Sequence, residues 1–294
     1  MKKFILLTAA TLAALAFNAC EKTGGSNEGG DTDPNFTENE GSFTYYGETY
    51  KTVTLENGSV WMAEPLRYIP EGYTVSSDPK DGNAHIWYPY VITDGKATAA
   101  TDEETIKSNG YLYDIQAVFG TEITADNCGS FEGAQGICPK GWHIPSRADF
   151  LALCGYSNKA DGEDAPVKNE DAVFYDAGYE GGKVAGFTDG GWNFVLSGWM
   201  QRANFAAEGK YSVTPVLSES NCTVSEYYGK PGLTYVMSST SYKPAFNSEN
   251  ELTNIQFFSL MTTFTAAKYP EGRVSLAYAS TVSGQQVRCV KDSE

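Results

Sequence analysis

The sequence contains few of the residue types and motifs on which common catalytic sites depend. Its only histidines are His85 and His143, which lie far apart, and there is no HExxH or paired CxxC motif, so a zinc site is not expected. GxSxG, P-loop and GxGxxG motifs are also missing. Nucleophilic and nucleotide-dependent chemistry therefore has no support in the sequence.

Basic residues are scarce. The chain has 21 Lys and Arg against 37 Asp and Glu, a formal net charge of −16. Binding to nucleic acid needs clustered positive charge, and so does binding to anionic lipid headgroups. Neither is therefore an expected partner, and most of the acidity is explained by its favourable effect on solubility.

Long apolar runs are missing beyond the first residues, so no later segment could cross a bilayer, which takes about 20 apolar residues. The chain starts with Lys2 and Lys3, continues with an apolar stretch over 4–16, and reaches a small residue directly before Cys20. This layout predicts a secretory signal over residues 1–19 that is removed, with lipid on Cys20. We expect a lipid-anchored outer-membrane protein that is exposed at the cell surface, held by acyl chains alone.

The residues after the predicted lipid site are acidic and almost free of apolar side chains. Residues 20–40 are therefore predicted to form a flexible tether, and residues 41–294 a single domain. Six cysteines in an exported chain favour disulfides. With Cys20 carrying lipid the remainder is odd in number, so at least one stays free, and the residues alone do not assign the pairing.

Alternation of apolar and polar residues predicts three antiparallel strands near the start of the domain, at 42–46, 49–55 and 59–63, with a hairpin signal at Asn57-Gly58. Ser146 with Asp149 predicts a capped helix that ends at Gly155. Short helical segments are expected over 102–107 and, as helix or strand, 112–119, and a strand near 85–92. Later strands are expected at 192–199, 233–238, 254–264, 274–279 and 286–290, the last two joined by a hairpin at Ser283-Gly284. This order predicts an α+β fold.

One segment is too distinctive to be generic: Gly-Ile-Cys-Pro-Lys-Gly-Trp-His-Ile-Pro-Ser at 136–146. It resembles the central motif of the Fibrobacter succinogenes major paralogous domain family, which is common among lipoproteins of Bacteroidetes. Segments that resemble other parts of the family follow its order, at 60–64, 110–114 and 287–292. The resemblance implies a C-type-lectin-like fold, related to that of the formylglycine-generating enzymes.

The resemblance also suggests which residues are structural. A disulfide between Cys138 and Cys289 is favoured because both lie within family-like motifs, while Cys154 to Cys289, helix to last strand, is the alternative. Independently of the resemblance, Trp142 and His143 are expected to be structural, with the indole in the core and the imidazole before the helix, hydrogen-bonded to a loop carbonyl.

Two groups of aromatic residues are the candidates for stacking against sugar rings or a partner protein. The alternative is that these rings fill the core. The candidate ligand-binding residues are Trp87, Tyr88, Tyr90, Tyr227 and Tyr228.

Calcium is the one metal ion for which the sequence offers ligands, although no cofactor is required by any motif. The acidic loop over 161–164 and the side chains of Asp189 and Asn193 supply oxygen ligands. However, acidic loops are usually only solvated, and the Glu-Pro-Asn and Trp-Asn-Asp motifs of sugar-binding C-type lectins are missing.

The sequence therefore favours a non-enzymatic cell-surface binding module for a glycan or a surface protein, with a role in carbohydrate binding or adhesion. The alternative is a structural or accessory component of a surface fibre or nutrient-uptake complex. A third hypothesis is a degenerate enzyme of the formylglycine-generating kind. The sequence does not indicate an oligomeric state.

Overall fold

The computed structural model is rich in strands, and the residues that it describes include three short α-helices, which is an α+β composition. It describes residues 33–55, 57–79, 81–94, 96–154, 156–157, 167–168, 180–182, 191–192, 194–200, 205–207, 210–212, 226–227, 230–242, 244–246, 248–249, 252–265 and 269–293.

Most of the strands within these residues are short, whereas three others are long. The helices are α1 (Glu103–Asn109), α2 (Ile115–Phe119) and α3 (Arg147–Leu153), with a 3₁₀ turn at Cys128–Phe131. The strands are β1 (Phe36–Asn39), β2 (Ser42–Tyr45), β3 (Glu48–Thr54), β4 (Val60–Met62), β5 (Val75–Ser76), β6 (Ile86–Trp87), β7 (Tyr90–Thr93), β8 (Lys96–Ala99), β9 (Leu112–Tyr113), β10 (Trp142–His143), β11 (Tyr156–Ser157), β12 (Val167–Lys168), β13 (Glu180–Gly182), β14 (Phe205–Ala207), β15 (Lys210–Ser212), β16 (Glu226–Tyr227), β17 (Lys230–Pro231), β18 (Leu233–Ser241), β19 (Ala245–Phe246), β20 (Leu252–Asn254), β21 (Gln256–Thr265), β22 (Tyr269–Ser280) and β23 (Val290–Lys291).

The first sheet brings the two ends of the domain together. Its order is β1-β2-β3-β4-β23-β10, and every pair is antiparallel. Lys291 on β23 forms an ion pair with Glu38 on β1, although three strands separate β1 from β23 in the sheet order. On the buried face, the rings of Phe43 on β2 and Trp142 on β10 lie 5.0 Å apart. The predicted strands over 42–63 are confirmed, with bounds that differ by at most one residue.

The second sheet contains the long strands and has the order β13-β22-β21-β18. One of its faces packs against α3, where Phe150 and Leu151 join Val236 and Leu260 in a buried cluster. Helix α3 forms because Ser146 and Asp149 make the predicted capping box. The predicted helix is confirmed through Leu153, whereas Gly155 lies outside the described residues.

The other predicted helical segments are also present. Asp102 caps α1 by accepting a hydrogen bond from the Thr105 amide, and Asp114 caps α2 by accepting one from the Ala117 amide. The stretch over 112–119, predicted as helix or strand, contains both, since β9 leads directly into α2.

Two predictions for the later part of the chain are wrong: the strand over 192–199 and the hairpin at Ser283-Gly284. The described residues of 192–199 form no strand and make only isolated bridges near Gly198. The predicted hairpin at Ser283-Gly284 is also not formed, because Gln286 makes a parallel bridge to Val236 and the chain then leaves the second sheet. Only Val290 and Lys291 form a strand, between β4 and β10 of the first sheet. Pairing there buries Val287 and Cys289 completely.

The folded region also begins earlier than predicted. Residues 36–39 were expected to belong to a flexible tether, but they form β1 and pair with β2 in register, Phe36 opposite Tyr45. The reason is that Phe36 packs its ring against Phe43, with 5.5 Å between the ring centroids. The predicted signal over 1–19, Cys20 and the rest of the tether up to residue 32 lie outside the described residues.

Candidate functional site

Two of the predicted ligand-binding rings are core residues. Trp87 is fully buried and Tyr90 is 3% exposed, in a cluster with Leu112 and Met200. Trp87 packs so closely on Gly284 that a Cβ there would lie 2.9 Å from its Cε3. Neither ring has a face available to a ligand, which corrects that prediction. Tyr88, between them in sequence, is half-buried at the surface.

The remaining predicted site residues lie largely outside the described part of the chain. This holds for Tyr228, the acidic loop over 161–164, Asp189 and Asn193, while of Tyr227 only the backbone in β16 is described. Among the described residues, no group of three or more His, Cys, Asp or Glu is arranged to hold a metal ion.

The exposed aromatic residue with the most unusual backbone is Tyr46, which the sequence analysis missed. With Gly47 it forms the two-residue turn between β2 and β3, and both residues have positive φ, 48° and 82°. Such turns favour Asn-Gly, because an L-residue with a Cβ loses about 1–2 kcal/mol in this left-handed region. Despite this cost the position holds a large ring, and that ring is 48% exposed.

Tyr46 is part of a compact tyrosine cluster. Its ring stacks on Tyr68, with 4.1 Å between centroids and an interplanar angle of 17°. Tyr45 packs edge-on against both rings. Burial raises the pKa of the Tyr68 phenol, and a hydrogen bond with Tyr46 and the nearby carboxylate of Asp33 raise it further. The Tyr68 phenol is therefore neutral at physiological pH and able to donate and accept hydrogen bonds.

The segment that carries Tyr68 is held rigidly. Arg67 is buried and donates hydrogen bonds to Glu48 (3.2 Å), to the Thr49 carbonyl (2.9 Å) and to the Lys107 carbonyl (3.1 Å). The Tyr113 hydroxyl donates to the Tyr68 carbonyl at 2.8 Å. These bonds join the segment at 66–68 to β3, α1 and β9. The backbone that carries the stacked Tyr68 ring is therefore held in a fixed position.

A second tyrosine pair contacts the same segment at 66–68. The Tyr111 amide donates to the Leu66 carbonyl at 3.2 Å, and the Tyr111 ring packs edge-on against Tyr88 at 5.8 Å. Both rings are half-buried. We refer to the four surface rings, Tyr46, Tyr68, Tyr88 and Tyr111, as the tyrosine face.

A separate exposed pair lies on the second sheet. Tyr242 and Tyr278 stack at 4.7 Å with an interplanar angle of 7°, and both are more than 40% exposed. Phe258 packs edge-on against Tyr242. No predicted site residue falls in this pair.

The residues of the distinctive motif at 136–146 hold the domain together. A disulfide joins Cys138 to Cys289, which confirms the favoured pairing over the alternative with Cys154. Trp142 is buried in the first core. His143 lies beside them, and its ring nitrogens face two carboxylates and not the expected loop carbonyl: Nδ1 is 2.6 Å from Asp292 and Nε2 is 3.2 Å from Asp149.

The two carboxylates determine the charge of His143. Burial disfavours the charged ring, but the hydrogen bonds to Asp149 and Asp292 outweigh burial and raise its pKa. A neutral imidazole has one N–H and donates to only one carboxylate, whereas the imidazolium donates to both. The protonated ring therefore connects the start of α3 to the residue after β23.

This geometry predicts a pH dependence of stability. Because the pKa of His143 is higher in the folded state, its contribution is fully present below the unfolded value near 6.5 and is lost as pH rises through the folded value. We expect the free energy of unfolding to fall by about 1 kcal/mol on this rise. Denaturant titration from pH 5.5 to 9 would show this fall for the wild type and not for His143→Gln. An equal fall in both proteins would contradict the prediction.

The sequence was also compared with known proteins. A family model described as the Fibrobacter succinogenes major domain matches residues 56–291. The chain belongs to this family. The major domain includes Tyr68, Tyr88 and Tyr111 of the tyrosine face, whereas Tyr46 precedes its first matched residue. No curated protein and no solved structure matches the chain. None of the helices in the described part of this major-domain protein is long and apolar enough to span a membrane.

Proposed function

We propose that this major-domain protein is a non-enzymatic binding module that the lipid on Cys20 displays on the outer membrane, and that it binds a neutral glycan through the tyrosine face. The finer fold assignment, C-type-lectin-like, is part of the proposal and rests on the family resemblance. The observation that carries the binding role is Tyr46, a half-exposed ring at a turn position where Asn would be less strained.

Several properties of the tyrosine face favour a glycan. The stacked Tyr46 and Tyr68 rings offer a flat apolar surface with phenol groups at its edge, which suits a sugar ring with its C–H face and hydroxyls. Carboxylates lie close by, since Asp33 and Glu71 both act on the Tyr68 phenol. Carboxylates accept hydrogen bonds from hydroxyls and repel anions, so we expect a neutral ligand.

The non-enzymatic part of the proposal rests on the environment of the candidate reactive groups. Both nitrogens of His143 are occupied by carboxylates. Burial raises the pKa of the Cys154 thiol to about 12, whereas a reactive cysteine needs a lowered pKa. Among the described residues, neither His143 nor Cys154 therefore has the properties of a reactive group in chemistry of the formylglycine-generating kind.

The Tyr46→Asn substitution tests the proposal. Asn relieves the strained backbone and loses the stacking on Tyr68, two effects of about 1 kcal/mol with opposite signs, so stability should change little. We expect the wild-type chain to bind saturably on a glycan array and the variant to bind at least about tenfold more weakly.

Tyr278→Ala is the matched control, because it removes an exposed, stacked tyrosine from the second sheet. It should bind like the wild type. Equal binding by Tyr46→Asn and the wild type, or no binding of any glycan, would overturn the proposal.

A second candidate function is favoured by the Tyr242–Tyr278 pair. Exposed aromatic patches often mark protein contacts. We propose as the alternative that the chain is an accessory component of a surface fibre or nutrient-uptake complex, with this pair in the contact. Co-purification with a complex that is lost in Tyr278→Ala, together with no glycan binding, would favour it.

A further inference from the structure

The tyrosine face has two parts, and the ion pair of Glu48 and Arg67 is near residues of both. The first part is the stacked pair of Tyr46 and Tyr68, and the second is the edge-to-face pair of Tyr88 and Tyr111. Glu48 directly follows the turn that carries Tyr46, and its carboxylate accepts a hydrogen bond from the buried Arg67.

The same ion pair reaches the second tyrosine pair. The pKa of the Tyr111 phenol is raised by burial and by the charges of Tyr88 and Glu48, and Arg67 opposes the rise, so Glu48 and Arg67 lie near this ring as well. The Glu48 side chain is 51% exposed although it is bonded to Arg67. It therefore keeps acceptor capacity toward solvent beside the tyrosine face.

The relative position of the two pairs is fixed by the backbone. The Tyr111 amide bonds to the Leu66 carbonyl, one residue before Arg67 and two before Tyr68. This contact is close because residue 110 is a glycine: a Cβ there would lie 2.6 Å from the Pro65 Cβ and 2.7 Å from the Leu66 oxygen. The two pairs therefore form one preorganised surface.

We infer that the tyrosine face binds a linear, neutral oligosaccharide along two subsites, with Tyr46 and Tyr68 under one sugar unit, Tyr88 and Tyr111 against another, and Glu48 accepting hydroxyl hydrogen bonds between them. This inference rests on the proposed function and specifies its ligand as a chain of several units. A chain that occupies both pairs gains the second contact without a second loss of translational freedom, so its affinity should increase with length.

The test measures affinity as a function of chain length. Unbranched neutral gluco-, xylo-, manno- and galacto-oligosaccharides of two to eight units would be titrated calorimetrically into the full mature chain. For the ladder that binds, we expect at least about a tenfold gain in affinity from two units to the length that fills both subsites, and no gain beyond it.

Variants of the second pair separate the two subsites. Tyr111→Ala and Tyr88→Ala should each lower the affinity for long oligosaccharides at least fivefold and leave that for the shortest bound one unchanged. Tyr278→Ala, which removes an exposed stacked tyrosine outside the tyrosine face, should show the wild-type affinity at every chain length, and the thermal midpoint of each variant controls for effects on folding.

The possible failures are distinguishable. Affinity that is independent of length, with binding still lost in Tyr46→Asn, would overturn the two-subsite inference and leave the proposed function intact. Unchanged length dependence in both folded alanine variants would also overturn the inference. Binding of none of the four ladders would contradict both the inference and the neutral-glycan proposal.

Discussion

Replacing both Cys138 and Cys289 by alanine is expected to lower the free energy of unfolding by about 2–5 kcal/mol. The disulfide closes a loop with a sequence separation of 151, so its removal greatly increases the conformational freedom of the unfolded chain. It also removes the covalent bond that holds the segment before β10 to the one before β23. Denaturant titration of the wild type and the double variant under oxidising conditions would measure the loss.

Cys128→Ala is the control for this experiment. Cys128 is a buried free thiol, so the variant loses a sulfur atom and no cross-link. We expect a loss of about 1 kcal/mol or less. Equal losses in the double variant and in Cys128→Ala would show that the disulfide contributes little beyond the packing of its sulfur atoms.

Gly110→Ala is expected to lower the free energy of unfolding by about 3 kcal/mol and to weaken glycan binding. Gly110 ends α1 with φ 68° and ψ −172°, a region that is almost exclusive to glycine. An added Cβ would also clash with the Leu66 carbonyl oxygen at 2.7 Å, and this oxygen accepts the hydrogen bond that positions Tyr111. Strain and displacement of the backbone therefore act together.

Gly120→Ala provides a matched control. Gly120 ends α2 with the same φ of 68°, but its ψ of 17° is left-handed helical and no atom outside its chain neighbours lies within 4 Å of the added Cβ. We expect a loss of about 1 kcal/mol and unchanged binding. Thermal and denaturant unfolding of both variants checks the difference, and equal losses would contradict the role assigned to the Gly110 contact.

The local elements could be predicted from the sequence because their causes are local. The hairpins over 42–62 follow from alternation and turn residues, and α3 follows from Ser146 and Asp149. The path of the last segment could not be predicted in this way. Its hairpin signal at Ser283-Gly284 is overridden by long-range contacts, since Gly284 packs under Trp87 and bridges to Met200.

The candidate site was harder to predict than the fold. The segment from Trp87 to Tyr90 has three aromatic residues in four positions, but density of rings does not distinguish a core from a surface. The available signal was Tyr46 directly before Gly47, a bulky residue in a two-residue turn that favours Asn. The contact between Tyr46 and Tyr68 joins two segments far apart in sequence, and no local pattern predicts it.

The match to the family model does not include every residue of the candidate site. The matched region begins at residue 56, so the turn that carries Tyr46 lies outside it. The matched region therefore includes the central motif and both cysteines of the disulfide between Cys138 and Cys289, while the first ring of the tyrosine face belongs to the strands that precede the match.

The most direct measurement of the central claim is the dissociation constant of a bound neutral glycan for the wild type, Tyr46→Asn and Tyr278→Ala, determined beside the unfolding free energy of each protein. We expect a loss of affinity of about tenfold or more in Tyr46→Asn alone, with its stability within about 1 kcal/mol of the wild type. Wild-type affinity in a stably folded Tyr46→Asn would contradict the assignment of the tyrosine face as the binding surface.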